Sequence, residues 1–413
     1  MHFYRAYQVS EFRLISESRG YEGGGMLPAS LSETVGAVRR TLMTAPVLSS
    51  NPNEDFTHMP LEPDNREWTE FTGAALYTPL PYLPQAFGIF LGRIFSLTPL
   101  TLHYIARVCS LLTWALMGMA ALKITPFFRN VVFILLLTPL VFSKAVVITA
   151  DVVTVGACAL LVCQILRMEY GERSVSRKDI FLLFGFAALV GLCKISYAPL
   201  AALCFLISPE RLGGKKRFWL ICVGAVFTAL AVNMLWMGYL SANLTLKAGT
   251  SAHPSAQVRY MLSQPLSFLK VVWRYTYENG LSNFGAMFGT VIIWRVVWMP
   301  VWVIIMLWAA VLYAAVTDTQ AADIRAWKKA GVAAVVLGVY VVIIASLYVS
   351  YTRPMLEWVQ GMQARYMFPL LLPLLLVLKR KKPYKKNISM IYVFATGISL
   401  AVLVVSMYSR VIA

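Results

Sequence analysis

Asp151 is the residue in this sequence most suited to acid–base chemistry. It stands in the apolar stretch ITADVVTVGACALLV, and no other Asp or Glu occurs between Glu70 and Glu169. An ionisable group at a membrane boundary is costly and often functional, and a carboxylate can accept the proton of an attacking hydroxyl. The alternative role is a helix N-cap, a position that Asp favours. The sequence leaves both roles open, and they are compatible.

Several isolated basic residues could offset negative charge on a phosphate. Arg365 opens an apolar stretch, and a guanidinium there can hold a phosphate through two parallel hydrogen bonds. Lys194 interrupts another apolar stretch, and Arg107 and Lys144 occupy similar positions. For each of them the alternative is a long side chain that extends its charge to the lipid headgroups.

Long apolar runs must position these side chains. Of the 413 residues, 59% are hydrophobic and only 14% are charged, whereas an ordinary soluble domain is about 25% charged. Apolar runs of about 20 residues match the thickness of a bilayer. We therefore predict an all-α integral membrane fold with about ten transmembrane helices, near 103–122, 130–147, 149–168, 179–193, 196–208, 217–240, 291–315, 330–351, 363–378 and 388–410.

Lys and Arg concentrate in five short loops between these runs: 123–129, 167–178, 209–217, 316–329 and 379–386. All five fall on the same side of the membrane when the runs are counted in order, which the positive-inside rule identifies as the cytoplasm. These loops explain the net charge of +18 without nucleic acid as a partner.

The same count divides the chain into two parts. Residues 1–102 become an extracytoplasmic segment with short interfacial helices, and 103–413 a polytopic transmembrane domain. Asp151 and Arg365 then share the outer face.

Several stretches carry a family resemblance, in order along nearly the whole chain. They are HFYRAYQVSE at 2–11, GGGMLPASLSE at 23–33, LYTPLPYLPQAFGIFLGRIF at 76–95, TPLVFSKAVVITADVVT at 138–154 and VQGMQARYMFPLLLPLLL at 359–376. In these motifs the chain resembles the bacterial multi-pass membrane family named domain of unknown function 2142.

Members of that family resemble glycosyltransferases of the GT-C type, which take sugars from polyprenyl-phosphate carriers. The resemblance implies an enzyme of the bacterial inner (plasma) membrane that uses a polyprenyl-phosphate-linked sugar to build a cell-envelope glycan. It favours Asp151 as the catalytic residue, because an acid recurs at this point in the family. The residues and the resemblance together suggest six substrate-binding candidates: Arg365, Lys194, Arg107, Gln363, Tyr366 and His2.

One departure from the family pattern keeps other hypotheses open. An apolar span and a Pro-Asp-Glu motif precede the family's His-Phe pair, whereas Met1 precedes His2-Phe3 here. A start codon placed too late or a truncated gene would each explain this difference. The alternative functions are therefore a non-catalytic or truncated membrane protein, and a transporter or flippase of lipid-linked substrates.

No pattern in the sequence indicates a metal site. The six cysteines all lie in apolar runs and read as small buried hydrophobic residues. The acid pairs Glu54-Asp55 and Glu62/Asp64 could bind a divalent cation, but a solvated loop explains them as well. The glycine run at 23–25 does not have the setting of a phosphate-binding loop. The sequence does not identify a cofactor.

Overall fold

The computed structural model describes residues 1–20, 22–44, 57–243, 254–289, 297–353, 356–384, 386 and 388–412. Its helices and strands fall into a mixed N-terminal segment and a helical bundle. The predicted acid pair Glu54-Asp55 lies outside the described residues.

The N-terminal segment contains a small antiparallel sheet that the sequence analysis did not predict. Strand β2 (Glu22–Pro28) lies between β1 (Glu17–Arg19) and β3 (Arg66–Glu70). The all-α prediction is wrong here because the strands are short and the β2–β3 pairing joins residues about 40 positions apart. The run of glycines in β2 also weakens any strand signal.

Glycines in β2 permit close packing against the neighbouring elements. A Cβ on Gly24 would overlap the carbonyl oxygen of Thr69 on β3, and one on Gly25 would lie 2.9 Å from Nε2 of Gln8. Gln8 belongs to α1 (His2–Ser10), which packs on the sheet. The absence of side chains in the glycine run therefore allows the sheet to pack closely against α1.

Three further helices complete this segment: α2 (Ala29–Thr44), α3 (Thr72–Ala75) and α4 (Leu83–Ile94). Arg93 of α4 donates a 2.9 Å hydrogen bond to the carbonyl oxygen of Ser10 and pairs with Glu11. Helix α4 also packs along α5, the first bundle helix, so the segment is attached to the bundle.

Helices are the main elements of the remainder of the described chain. In order they are α5 (Pro99–Ile124), α6 (Arg129–Leu136), α7 (Pro139–Ala145), α8 (Asp151–Tyr170), α9 (Arg177–Cys193), α10 (Lys215–Asn243), α11 (Pro254–Ser263), α12 (Pro265–Ala286), α13 (Val301–Val316), α14 (Ala326–Ser350), α15 (Leu371–Leu375) and α16 (Ser389–Ile412). Short 3₁₀ turns, chiefly Ile195–Leu206 and Ala364–Tyr366, connect some of them.

Five of the described helices are long and apolar enough to cross a membrane: α5, α8, α10, α14 and α16. Over the residues that the structure describes, the other predicted spans coincide with shorter or interrupted helices. Residues 291–296 of the predicted span 291–315 lie outside the described residues. Proline explains several interruptions, since it lacks an N–H and clashes with the preceding turn. Pro139 begins a new helix within the predicted span 130–147, and Pro199 lies inside the 3₁₀ segment Ile195–Leu206.

Helix α8 is the central helix of the bundle. Inside the structure, 78% of its apolar window is buried, against 28% to 33% for the other four long helices. It packs against α5, α9 and the 3₁₀ segment Ile195–Leu206. Since Asp151 is the first residue of α8, the candidate carboxylate begins the most enclosed helix.

The basic loops contact one another at the end of the bundle opposite Asp151. Arg211 donates a 2.6 Å hydrogen bond to the carbonyl oxygen of Gly171, which joins the loop after α8 to the loop before α10. Lys328 forms an ion pair with Glu169, which brings the start of α14 to the same place.

The remaining two basic loops join this end through the loop between α13 and α14. A carboxylate oxygen of Asp318 accepts a 2.9 Å hydrogen bond from the backbone N–H of Phe128. Lys329 donates to the carbonyl oxygen of Lys379 at 2.8 Å. All five basic loops therefore lie at the same end of the bundle.

Candidate functional site

Asp151 and Arg365 form an ion pair at the end of the bundle opposite the basic loops. Oδ2 of Asp151 lies 2.5 Å from Nη1 of Arg365. Their side chains remain 23% and 25% exposed, so a ligand can reach both. Nε of Arg365 is buried without a hydrogen-bond partner in the structure. The guanidinium thus keeps an unused donor beside the pair.

The first turn of α8 orients Asp151. Ala150 occupies the N-cap position, and the hydroxyl of Thr149 accepts the N–H of Asp151 at 2.8 Å. The carboxylate of Asp151 therefore forms the ion pair with Arg365 and does not cap the helix.

Lys194 reaches the same place from the end of α9. Its Nζ lies 3.6 Å from the centroid of the Tyr366 ring, in a cation–π contact. The hydroxyl of Tyr197 donates a 2.8 Å hydrogen bond to the carbonyl oxygen of Tyr366. Lys194 also interacts electrostatically with Asp151. Two predicted cations and the predicted carboxylate therefore converge.

A small pocket with a cavity volume of about 10 Å³ lies beside the ion pair. Asp151, Arg365 and Lys144 supply its polar groups. Its apolar walls come from α5, α7, α8 and the turn at Phe368: Trp114, Leu140, Val141, Val152, Val155 and Phe368. The pocket therefore has a charged end and an apolar wall.

Aromatic side chains from the N-terminal segment border the site. Nδ1 of His2 is hydrogen-bonded to the Tyr82 hydroxyl at 2.7 Å, and Tyr77 meets the His2 ring edge-to-face at 6.3 Å. His2 interacts electrostatically with Asp151 and Arg365. Burial lowers the pKa of His2 from 6.5 to about 4, although the negative charge of Asp151 acts in the opposite direction.

The sequence analysis did not identify Tyr77 and Tyr82 as site residues. Burial raises the pKa of both hydroxyls, so both are protonated donors at neutral pH. The only sequence signal is the proline-rich stretch LYTPLPY that contains them, which indicates a fixed turn but not its target.

Hydrogen bonds fasten this stretch and the start of α4 across the ends of three bundle helices. Thr78 donates to the carbonyl oxygen of Leu192 at the end of α9, at 2.7 Å. Gln85 donates to the carbonyl oxygen of Thr149 just before α8, at 3.0 Å. Trp236 of α10 donates to the stretch itself. The aromatic border is thereby held in place over the ion pair.

Two predicted substrate-binding residues, Arg107 and Gln363, make contacts other than those with the ion pair. Nε of Arg107 donates a 2.7 Å hydrogen bond to the carbonyl oxygen of Val146, and its guanidinium lies over the ring of Tyr104. Gln363 is exposed and caps the turn that carries Arg365 through its backbone.

The described residues contain no group of three or more His, Cys, Asp or Glu side chains that could hold a metal ion. The cysteines among them are free thiols, and five of the six are buried.

The sequence model of one protein family, described as "Predicted membrane protein (DUF2142)", matches residues 1–375. The match includes the N-terminal segment, Asp151, Lys194 and Arg365. No curated protein and no solved structure matches the chain.

Proposed function

This chain belongs to the DUF2142 family of predicted membrane proteins, and from that premise we propose that it is a glycosyltransferase of the bacterial inner membrane. It transfers a sugar from a polyprenyl-phosphate carrier to a cell-envelope glycan on the outer face. The observation that carries the proposal is the convergence of Asp151, Arg365 and Lys194 beside an apolar pocket.

In the proposed reaction a hydroxyl oxygen of the acceptor glycan attacks the anomeric carbon of the donor sugar. The bond between that carbon and the phosphate oxygen breaks, and polyprenyl phosphate leaves with the bonding electrons. Asp151 accepts the hydroxyl proton. Arg365 and Lys194 offset the charge that develops on the phosphate.

The ion pair explains how the carboxylate becomes available. With the site empty, Arg365 holds Asp151 in the ion pair, so the carboxylate oxygen is occupied. A phosphate competes for the guanidinium, which can bind it through two parallel hydrogen bonds. Carrier binding thus releases Asp151 beside the acceptor.

The membrane setting of the proposal follows the charge of the loops. The end with the five basic loops faces the cytoplasm, and the Asp151 end faces outward. About ten membrane passes, counting the short and interrupted helices, place the 1–102 segment outside over the site. The bilayer and the lipid-linked sugar are the partners.

A flippase of lipid-linked substrates is the second candidate, because Lys194 precedes the proline-interrupted segment Ile195–Leu206. Interrupted helices are typical of transporter binding sites. A flippase moves the carrier intact, whereas a transferase breaks the sugar–phosphate bond.

The test reconstitutes the protein into liposomes with polyprenyl phosphates carrying different radiolabelled sugars and a lipid-linked glycan acceptor. We expect release of polyprenyl phosphate and labelled glycan with at least one sugar. Transbilayer movement of an intact carrier, without bond cleavage for any sugar, would establish the flippase instead.

A further inference from the structure

Helix α12 has two apolar faces, although a helix at a protein surface usually has one. The first face is buried: Phe268, Val272 and Tyr275 pack against Ile344 and Tyr348 of α14. The other face is exposed.

The exposed apolar face of α12, here called the stripe, consists of Leu266, Trp273, Tyr277 and Leu281. These side chains are 74%, 73%, 82% and 87% exposed. Their spacing of seven, four and four residues places them on one side of the helix. Large aromatic and aliphatic side chains at such exposure indicate a surface that is covered by something apolar.

Contacts with α14 show how far along the bundle α12 extends. The ring of Phe268 meets that of Tyr348, near the end of α14, with centroids 5.6 Å apart. Eight residues further along α12, the hydroxyls of Thr276 and Tyr340 are 2.9 Å apart. Helix α12 therefore runs antiparallel to α14, from the Asp151 end of the bundle towards its middle.

The far end of α12 reaches the middle of α13. Phe284 stacks on Trp308 with ring centroids 3.6 Å apart, and Trp308 is the eighth of the 16 residues of α13. The stripe thus lies alongside helices whose own apolar residues are exposed, such as Leu337 of α14 and Ile305 of α13. It continues the surface that these helices present.

We propose that α12 enters the bilayer partway from the Asp151 end and that lipid acyl chains cover the stripe. Composition alone excludes α12 from the five candidate spans, because Lys270, Arg274 and Glu278 follow one flank. Arg274 is neutralised by hydrogen-bonded ion pairs with Glu278 and Glu357. Lys270 precedes them by one turn and extends its ammonium group to the headgroups.

The bilayer fits this face better than a second protein does. The stripe lies alongside α14, which is a candidate span, and does not project beyond the bundle. Trp and Tyr are also the side chains enriched where acyl chains meet headgroups. Since α12 packs against the turn Ala364–Tyr366, this lipid surface lies next to the candidate site.

The test introduces one cysteine at a time on the stripe: Leu266→Cys, Trp273→Cys, Tyr277→Cys and Leu281→Cys. Cys109 is the partly exposed native cysteine among the described residues, and the background carries Cys109→Ser. Each variant is spin-labelled in lipid nanodiscs. Its exposure to oxygen, which partitions into acyl chains, and to a water-soluble nickel chelate is measured by electron paramagnetic resonance.

Two positions calibrate the measurement. Phe227→Cys lies on the exposed face of span α10, and Asp323→Cys lies in an exposed loop at the other end. We expect at least three stripe labels to match Phe227→Cys, with oxygen exposure several-fold above nickel exposure. Stripe labels with the same oxygen and nickel exposure as Asp323→Cys would place the stripe in water and overturn the proposal. Low exposure to both reagents would show a protein contact and overturn it equally.

Discussion

Asp151 and Arg365 are 214 positions apart in the chain, yet their charged atoms lie 2.5 Å apart in the fold. The pair joins the first residue of the central helix to a 3₁₀ turn near the end of the bundle. It lies beneath an aromatic border from the N-terminal segment. Any role for either residue has to be considered together with the other.

The first prediction concerns the coupling within this pair. Asp151→Asn and Arg365→Gln should each destabilise the protein, and the double variant should lose less than the sum. For a partly buried contact pair the coupling is about 1 to 3 kcal/mol. Thermal unfolding in detergent, followed by circular dichroism, measures the four proteins.

A matched control cycle uses the pair Asp323 and Lys381, whose atoms are 2.8 Å apart but whose side chains are 56% and 74% exposed. Exposed pairs contribute about 0 to 1 kcal/mol, so that coupling should be smaller. Equal coupling energies in the two cycles would show that partial burial does not strengthen the Asp151–Arg365 interaction.

The second prediction concerns Lys194 as a phosphate ligand. Removing one charge-assisted hydrogen bond costs about 1.5 to 3 kcal/mol, so Lys194→Met should weaken binding of polyprenyl phosphate at least tenfold. Lys194→Arg should retain most of the binding. Equilibrium binding of a radiolabelled carrier to protein in nanodiscs measures this, with Lys381→Met as the control. Wild-type affinity in Lys194→Met would remove Lys194 from the site.

The third prediction concerns pH and His2. Burial lowers the pKa of this imidazole from 6.5 to about 4, so between those values the unfolded chain binds more protons than the folded one. Stability is therefore retained above about pH 6.5 and decreases as the pH falls towards 4.

His2→Gln should flatten this dependence, because glutamine does not titrate. The measurement is the midpoint temperature of unfolding between pH 7.5 and 4.5 for both proteins. Curves that run parallel throughout would mean that His2 does not contribute to acid sensitivity.

The fourth prediction concerns the sheet in the N-terminal segment. Gly24→Ala should destabilise the protein by about 1 to 3 kcal/mol, as overpacking does, because the new Cβ would meet the carbonyl oxygen of Thr69. Gly36→Ala on α2 is the control, since its Cβ would make only an ordinary contact, 3.6 Å from Nη1 of Arg40. A Gly24→Ala variant as stable as Gly36→Ala would argue against the β2–β3 pairing.

Periodicity and charge predicted much of the bundle from sequence. The five long helices begin and end within a few residues of predicted spans, because uninterrupted apolar runs leave few alternatives. Helix α12 was not predicted, since Lys270, Arg274 and Glu278 interrupt its hydropathy and the ion pairs that compensate for them are tertiary contacts.

For the candidate site, the sequence singled out the charged residues and gave no signal for Tyr77 and Tyr82 as site residues. Asp151, Arg365 and Lys194 are conspicuous because a charge in an apolar run requires a partner. Tyr77 and Tyr82 are unremarkable in sequence, and only hydrogen bonds such as that from Thr78 to Leu192 place them over the site. Arg107 has the same sequence signal as Lys194 but binds a loop carbonyl.

The most direct test of the proposed chemistry compares binding and transfer in Asp151→Asn. If Asp151 accepts the proton, this variant should bind polyprenyl phosphate within a few-fold of the wild-type affinity and transfer sugar about 100-fold or more slowly, while Asp323→Asn matches the wild type in both. Transfer by Asp151→Asn at the wild-type rate would contradict the account.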